Sequence, residues 1–163
     1  MTPALLTRAV CALFLFSAPL AAEGIMVDDA YIRSSTAKST SGAAFMVVMN
    51  HSGADERLIG ASSDVADKVE LHSHTSDDNG VMRMGEIEGG VAIAADDMHA
   101  FKRGGDHLMF MGLKGPLEQG AMVPVTLEFE KAGAVEIEVM VDQDRKPNHG
   151  KMKHDHGDMD HTG

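Results

Sequence analysis

Apolar and polar residues alternate over short stretches along most of this chain, and turn-forming residues recur between those stretches. The alternation has a period of two, which places successive side chains on opposite faces of a strand. Clusters such as Asp77-Asp78-Asn79-Gly80 and Arg103-Gly104-Gly105 indicate the turns. A short helical turn is predicted over Asp64–Asp67. The predicted strands are Met26–Arg33, Ala43–Asn50, Glu56–Ala61, Lys68–His72, Val81–Ile87, Val91–Ala94, Asp106–Leu113, Met122–Glu130 and Val135–Val141.

Many short strands at this spacing are typical of an all-β sandwich or barrel. Residues 23–143 are therefore predicted to form one β-barrel domain, whose length is normal for a single hydrophobic core. Several methionines fall within its strands, and methionine packs well in irregular interiors. Those interpreted as core residues are Met46, Met49, Met122 and Met140.

Residues 1–22 have the composition of a secretory signal peptide. Arg8 provides a positive charge, an apolar run follows, and Ala21-Ala22 forms a small-residue cleavage site. The apolar run is far shorter than the ~20 residues needed to cross a bilayer, so no membrane insertion is expected. Cys11 lies inside this run rather than after it, so lipidation is not expected. The protein is predicted to be exported to the periplasm.

The domain that remains after cleavage contains no cysteine, because the single cysteine of the chain belongs to the leader. This excludes disulfides, cysteine-type zinc sites, thiol nucleophiles and the blue-copper site, which requires a thiolate. A formal net charge of -11 argues against nucleic acid and anionic membranes as partners. The chain shows no nucleophile–base pair, no Gly-rich phosphate loop and no metal site suited to activating water, so an enzyme is not expected.

Two residues of copper-binding type, two positions apart, occur in three separate segments of the chain. His107-Leu108-Met109 is the clearest example, Val81–Met84 repeats the spacing with thioethers, and Leu71–His74 repeats it with imidazoles. Side chains at i and i+2 share one face of a strand. Soft thioethers select Cu(I), whereas zinc rarely takes methionine. Each of these residues taken alone would more often be a packed methionine or a hydrogen-bonded histidine than a metal ligand.

The composition changes after residue 143. Residues 144–163 lack the aliphatic pattern that a core requires, and they are predicted to form a disordered tail. Four histidines and two methionines within thirteen residues are a metal-binding composition, so the tail is interpreted as a metal-binding segment, with a merely solubilising tail as the alternative. Its candidate ligands are His149, Met152, His154, His156, Met159 and His161.

These segments resemble the PCu(A)C family of periplasmic copper chaperones, which carries a motif of the form H(M)X10MX21HXM. His72 is followed by one position, ten further residues and then Met84, as in the first half of the motif. Ser73 occupies the position of the bracketed methionine, and the interval from Met84 to His107 is one residue longer than the motif. The similarity covers roughly residues 25–142. Flanking sequences that match the family lie at residues 30–33, 42–46, 57–63 and 116–120.

The resemblance implies a cupredoxin-like Greek-key β-barrel with an exposed Cu(I) site formed by His72, Met84, His107 and Met109. It also implies delivery of copper for cytochrome c oxidase assembly, through transient contact with a copper-receiving protein. The His/Met-rich extension would bind Cu(II) as a companion to the barrel site. The protein is expected to act as a monomer.

Two other functions are compatible with the same residues. One is a periplasmic copper-buffering or resistance protein without a dedicated recipient. The other is a β-sandwich interaction module whose histidines are incidental. Met98 and His99 are interpreted as ordinary residues of a loop, with extra copper ligands as the alternative.

Overall fold

The computed structural model describes residues 24–76 and 80–146, and every regular element within these ranges is a β-strand. The predicted leader, the turn at 77–79 and all the candidate ligands of the tail lie outside the described residues. None of the described residues forms a helix of the length and hydropathy needed to cross a membrane. The strands are β1 (Ile25–Ser34), β2 (Ser41–Asn50), β3 (Glu56–Ser62), β4 (Ala66–Ser76), β5 (Met82–Glu86), β6 (Val91–Ile93), β7 (Met98–Phe101), β8 (His107–Leu113), β9 (Met122–Phe129) and β10 (Gly133–Val141).

Seven of these strands form a closed barrel. β4, β8, β2, β1, β10, β9 and β3 pair in that order, and a pairing between β3 and β4 completes the cycle. The β1–β10 pair is parallel, and the other pairs in the cycle are antiparallel. Three shorter strands lie outside the cycle: β5 pairs with β4, β6 with β3 and β7 with β2. The predicted all-β barrel is confirmed.

Alternate residues of each barrel strand fill the core. On β8, Leu108 and Phe110 are completely buried, and they pair across the sheet with Leu71 and Val69 of β4, which are also buried. Each such side chain stabilises the fold by roughly 1.5–3 kcal/mol through removal from water. Because side chains alternate along a strand, the intervening residues of β4 and β8 project from the opposite, outer face. That outer face carries the histidines and methionines.

Apart from the positions of strand ends, the structure differs from the predicted elements at two places. Asp64 and Val65 form a turn rather than a helical turn, and a backbone hydrogen bond from Ala66 N–H to Ser63 O closes it. Met98 and His99 belong to strand β7 rather than to a loop. β7 has four residues and pairs with β2 through its backbone, and a strand this short shows too little alternation to be recognised in a sequence.

The methionines interpreted as core residues divide into two groups. Met46 is buried, as predicted, and Met49 is half-buried. Met122 and Met140 are exposed, so the core interpretation is wrong for both. They lie opposite each other on the outer face of the β9–β10 pair, because Val123 and Val139 take the inward positions.

A buried carboxylate joins the start of β3 to the turn between β9 and β10. Oε1 of Glu56 accepts hydrogen bonds from the backbone N–H groups of Arg57 at 2.8 Å and Lys131 at 3.0 Å, and Oε2 accepts one from Ala132 at 2.7 Å. Burial alone would raise the pKa of Glu56, but these three donors together outweigh it and hold the pKa below the ordinary value of 4.5. The ionised form therefore stabilises the fold.

Replacing Glu56 by glutamine should lower the free energy of unfolding by about 1–3 kcal/mol at neutral pH, because one acceptor site becomes a donor facing an N–H group. A carboxyl group whose pKa is lower in the folded state contributes its full stabilisation when the pH is above the pKa of the unfolded state. It loses this stabilisation as the pH falls through the pKa of the folded state. The difference between wild type and Glu56→Gln should therefore shrink below about pH 4.5. Urea denaturation at several pH values measures it.

The matched control is Glu138→Gln, on an exposed position of β10, which should leave the stability unchanged. If the free energy of unfolding of wild type exceeded that of Glu56→Gln by the same amount at acid pH as at neutral pH, the prediction would be contradicted.

Candidate metal centre

The register of β4 with its two neighbours gathers the predicted ligands on one outer face. His72 of β4 lies directly opposite His107 of β8, and Met109 follows two residues further along the same face of β8. On the other side of β4, Met84 of β5 lies opposite His74. Directly opposed residues share a face, with their Cβ atoms about 4.5–5.5 Å apart. The structure thus brings the four predicted residues to one patch and adds His74, which was not among them.

His107 is the most deeply placed of these side chains, at 2% exposure. Its Nδ1 lies 3.0 Å from the carbonyl oxygen of Gly105, and since a carbonyl only accepts, Nδ1 carries the proton. The Nε2 lone pair is consequently available. Burial, together with the nearby His74 and His72, lowers the pKa of His107 below 6.5 against the opposing effect of the Gly105 hydrogen bond. At neutral pH the ring is therefore neutral and ready to bind a metal.

His72 has one nitrogen held by a carboxylate and one nitrogen without a partner. Its Nε2 lies 2.7 Å from Oε2 of Glu70, so Nε2 donates and Nδ1 holds the lone pair. Nδ1 is buried and has no hydrogen-bond partner among the described residues. Buried polar atoms are nearly always satisfied, and a histidine oriented by a carboxylate through its other nitrogen is common in metal sites. The arrangement fits a metal ligand.

Glu70 is able to act as that carboxylate because of its own contacts. It pairs with Lys68 as well as with His72. These hydrogen bonds, first to Lys68 and then to His72, lower the pKa of Glu70 below 4.5 despite the opposing effect of burial. The group is therefore ionised at neutral pH, and its charge favours an Nε2–H tautomer of His72. Reading the sequence did not identify this role, although Glu70 and His72 are two positions apart on one strand.

His74 completes a cluster of three imidazole rings around His107. The ring centres of His74 and His107 are 5.0 Å apart, and those of His72 and His107 are 6.0 Å apart. The sequence signal for His74 was present in the pair His72-Ser73-His74. His74 was nevertheless not among the four ligands that the family resemblance implied, and the predicted strand ended at His72, whereas β4 continues to Ser76.

The two methionines occupy the more accessible part of the patch. Met84 lies on β5, where every residue is exposed, and is itself 49% exposed, whereas Met109 is half-buried. Within residues 24–76 and 80–146, no group of three or more His, Asp or Glu side chains is arranged to hold a metal ion. A metal at this patch therefore depends on the thioethers or on a rotation of the imidazoles.

Met98 and His99 are not part of the patch. Nε2 of His99 lies 2.9 Å from Oδ2 of Asp106, and its ring packs against Phe101 with centres 4.8 Å apart. Met98 is exposed and lies opposite Met49 of β2. Both residues have ordinary structural surroundings on β7.

The chain segment that leads into the tail is held beside the site. The guanidinium of Arg145 lies 4.5 Å from the ring centre of Tyr31 and also pairs with Asp29. Nη2 of Arg103 donates to the carbonyl oxygen of Arg145 at 2.7 Å. Tyr31 packs against Phe45 at 5.1 Å, and Phe45 lies 6.1 Å from His107. The first residues after β10 are therefore connected to the site by a row of side-chain contacts.

Comparisons with known proteins give consistent results. The family model described as "Putative lipoprotein LpqE-like" matches residues 25–141. A protein of Leifsonia xyli subsp. xyli (strain CTCB07), named as a putative lipoprotein, is 35% identical over 120 residues, which cover 74% of this chain and 70% of that protein.

Similar solved structures are PCuAC domains and related copper proteins. The solution structure of CuI-DR1885 from Deinococcus radiodurans has a TM-score of 0.59 and 25% identity, covering 81% of this chain and 84% of that chain. A copper-bound PCuAC domain from PmoF2 has a TM-score of 0.61 at 23% identity, covering 74% and 93%, and supports the fold. The predicted cupredoxin-like barrel and its relationship to PCu(A)C domains are confirmed, and the chain belongs to the LpqE-like family.

Proposed function

We propose that this protein is a copper chaperone whose barrel binds one Cu(I) ion through His72, Met84, His107 and Met109. The observation that carries the proposal is the unpartnered, buried Nδ1 of His72. Its ring centre lies 6.0 Å from that of His107, and both residues share the outer face with the two thioethers. Copper is favoured because thioethers select Cu(I) and because the similar structures include a Cu(I)-bound protein.

The donor set determines what the site does with the metal. Two imidazoles and two thioethers suit the tetrahedral preference of a d10 ion, and thioether pairs disfavour Cu(II). With these four donors alone the site therefore favours Cu(I) over Cu(II), as suits a carrier.

The burial of the ligands suggests an order of release. Met84 is 49% exposed and His107 is 2% exposed, so an approaching protein meets the thioether first. Replacement of ligands would begin at Met84 and end at the buried imidazoles. The ion need not pass through water, because each ligand is exchanged while the others still hold it.

The proposal extends to location and recipient. The leader pattern of residues 1–22 and the lipoprotein descriptions of the family and its relative support export. Delivery to a protein of cytochrome c oxidase assembly, by transient contact of a monomer in the periplasm, rests on the PCu(A)C resemblance. Copper buffering without a recipient is the alternative.

An anaerobic Cu(I) titration against a competing chelator tests the barrel site. Wild type should bind one tight equivalent that the His107→Ala/Met109→Ala variant lacks. The Cu(I) affinity of this variant should fall by more than the roughly 10–100-fold that follows from removing a group that only orients a ligand. Glu70→Gln is such a case and should weaken Cu(I) binding within that range.

The matched control is Met98→Ala/His99→Ala, which removes a methionine and a histidine from β7 outside the patch. It should bind Cu(I) as wild type does. Equal Cu(I) binding by wild type and the His107→Ala/Met109→Ala variant would overturn the barrel site.

The tail is proposed to bind Cu(II) through His149, His154, His156 and His161, with Met152 and Met159 as further candidates. Its test should substitute side chains rather than delete residues 144–163, because deletion would also remove the contacts of Arg145 with Tyr31 and Asp29. Alanine at the four histidines should lower the Cu(II) affinity at least tenfold, measured by competition with glycine. An unchanged affinity would remove the tail from the proposal.

Delivery and buffering differ in their cellular consequences. Loss of the gene should lower cytochrome c oxidase activity when copper is scarce, and added copper or the wild-type gene should restore it. The His107→Ala/Met109→Ala gene should not restore it. Sensitivity to excess copper with normal oxidase activity would support buffering instead.

A further inference from the structure

We infer that His74 is an additional copper ligand, which gives the barrel a third imidazole and allows it to hold Cu(II) as well as Cu(I). The inference rests on the proposed copper-binding function and assigns to it a residue that lies outside the H(M)X10MX21HXM pattern. His74 occupies the same outer face as His72 and His107 and lies directly opposite Met84.

The separations of the rings match a shared metal. An ion bound about 2 Å from an imidazole nitrogen lies roughly 3 Å from the ring centre, since the nitrogen is itself about 1 Å from that centre. Two imidazoles on one ion then have centres about 4.5 Å apart at a right angle and about 6 Å apart when opposed. The observed separations from His107 are 5.0 Å for His74 and 6.0 Å for His72.

The hydrogen bonds leave suitable lone pairs. Nδ1 of His74 lies 3.3 Å from the carbonyl oxygen of Gly105, which also accepts from Nδ1 of His107 at 3.0 Å. A carbonyl oxygen has two lone pairs and can accept both bonds. Both rings are thereby held as Nδ1–H tautomers with free Nε2 atoms. The two ring planes are tilted by 31° relative to each other, and a rotation of the side chains would direct both Nε2 atoms to one ion.

The third nitrogen changes which oxidation state the site accepts. Two imidazoles and two thioethers favour Cu(I), whereas a set dominated by imidazole nitrogen suits Cu(II). Because the three rings are not yet arranged as a closed site, a rotation of side chains must accompany binding. His74 is half-buried beside the exposed Met84, which leaves room for that rotation.

The experiment uses the full chain with alanine at His149, His154, His156 and His161, so that the tail does not contribute Cu(II) ligands. His74→Ala is added to this background, and His99→Ala serves as the matched control because His99 is also a half-buried strand histidine. Pulsed EPR of the Cu(II)-loaded proteins counts the coordinated imidazoles. Chelator competition on the same preparations gives the Cu(II) and Cu(I) affinities.

The expected result is three coupled imidazoles in the background protein and in the His99→Ala control, and two in His74→Ala. The Cu(II) affinity should fall at least tenfold in His74→Ala, while the Cu(I) affinity should change less than threefold. An unchanged imidazole count in His74→Ala would overturn the inference, and so would an equal loss of Cu(I) affinity. Absence of Cu(I) binding in every protein, the background included, would instead overturn the proposed function itself.

Discussion

The pairing of β4 with β8 is the constraint on which the site depends. Leu71 opposes Leu108 on the inner face, and in the same register His72 opposes His107 on the outer face. A slip of one residue would reverse both faces, placing imidazoles in the core and leucines in water. The hydrophobic core therefore specifies the position of the ligands, although none of its side chains would bind the metal.

The site combines buried nitrogen with exposed sulfur, and this combination has a cost. An unsatisfied buried polar atom destabilises a fold by about 1–3 kcal/mol, and Nδ1 of His72 is such an atom. Binding of a metal would remove that cost in addition to forming bonds. The barrel can tolerate this destabilisation in the absence of metal because the neighbouring Leu71 and Leu108 are well buried.

Much of the barrel was predictable, because inward Val, Leu and Phe residues alternate with polar ones on the long strands. β7 was not predictable, since its four residues are too few to show a strand pattern. Their strand conformation comes from the backbone pairing with β2. The two-residue spacing of His72 and His74 is visible in the sequence, but only the pairing of β5 with residues 72–76, which extends β4 beyond its predicted end, shows that His74 belongs to the patch. Spacing could identify His107 and Met109 as a pair, but only the register shows that Glu70 orients His72. Met122 and Met140 were assigned to the core wrongly for a different reason. The presence of a methionine in a strand does not reveal which alternate set of residues faces inward.

The position of Arg145 bears on how the proposed barrel site and the proposed tail site would cooperate. Contacts of 4.5, 5.1 and 6.1 Å connect its guanidinium to Tyr31, Tyr31 to Phe45 and Phe45 to His107. An extended chain spans about 3.3–3.6 Å per residue, so only a few residues beyond Arg145 are needed to cover the distance to the barrel site. The row of aromatic contacts thus places Arg145, four positions before His149 in the sequence, on the side of the barrel that carries the site. A tail that captures copper and a barrel that carries it would then operate at a high effective concentration relative to each other.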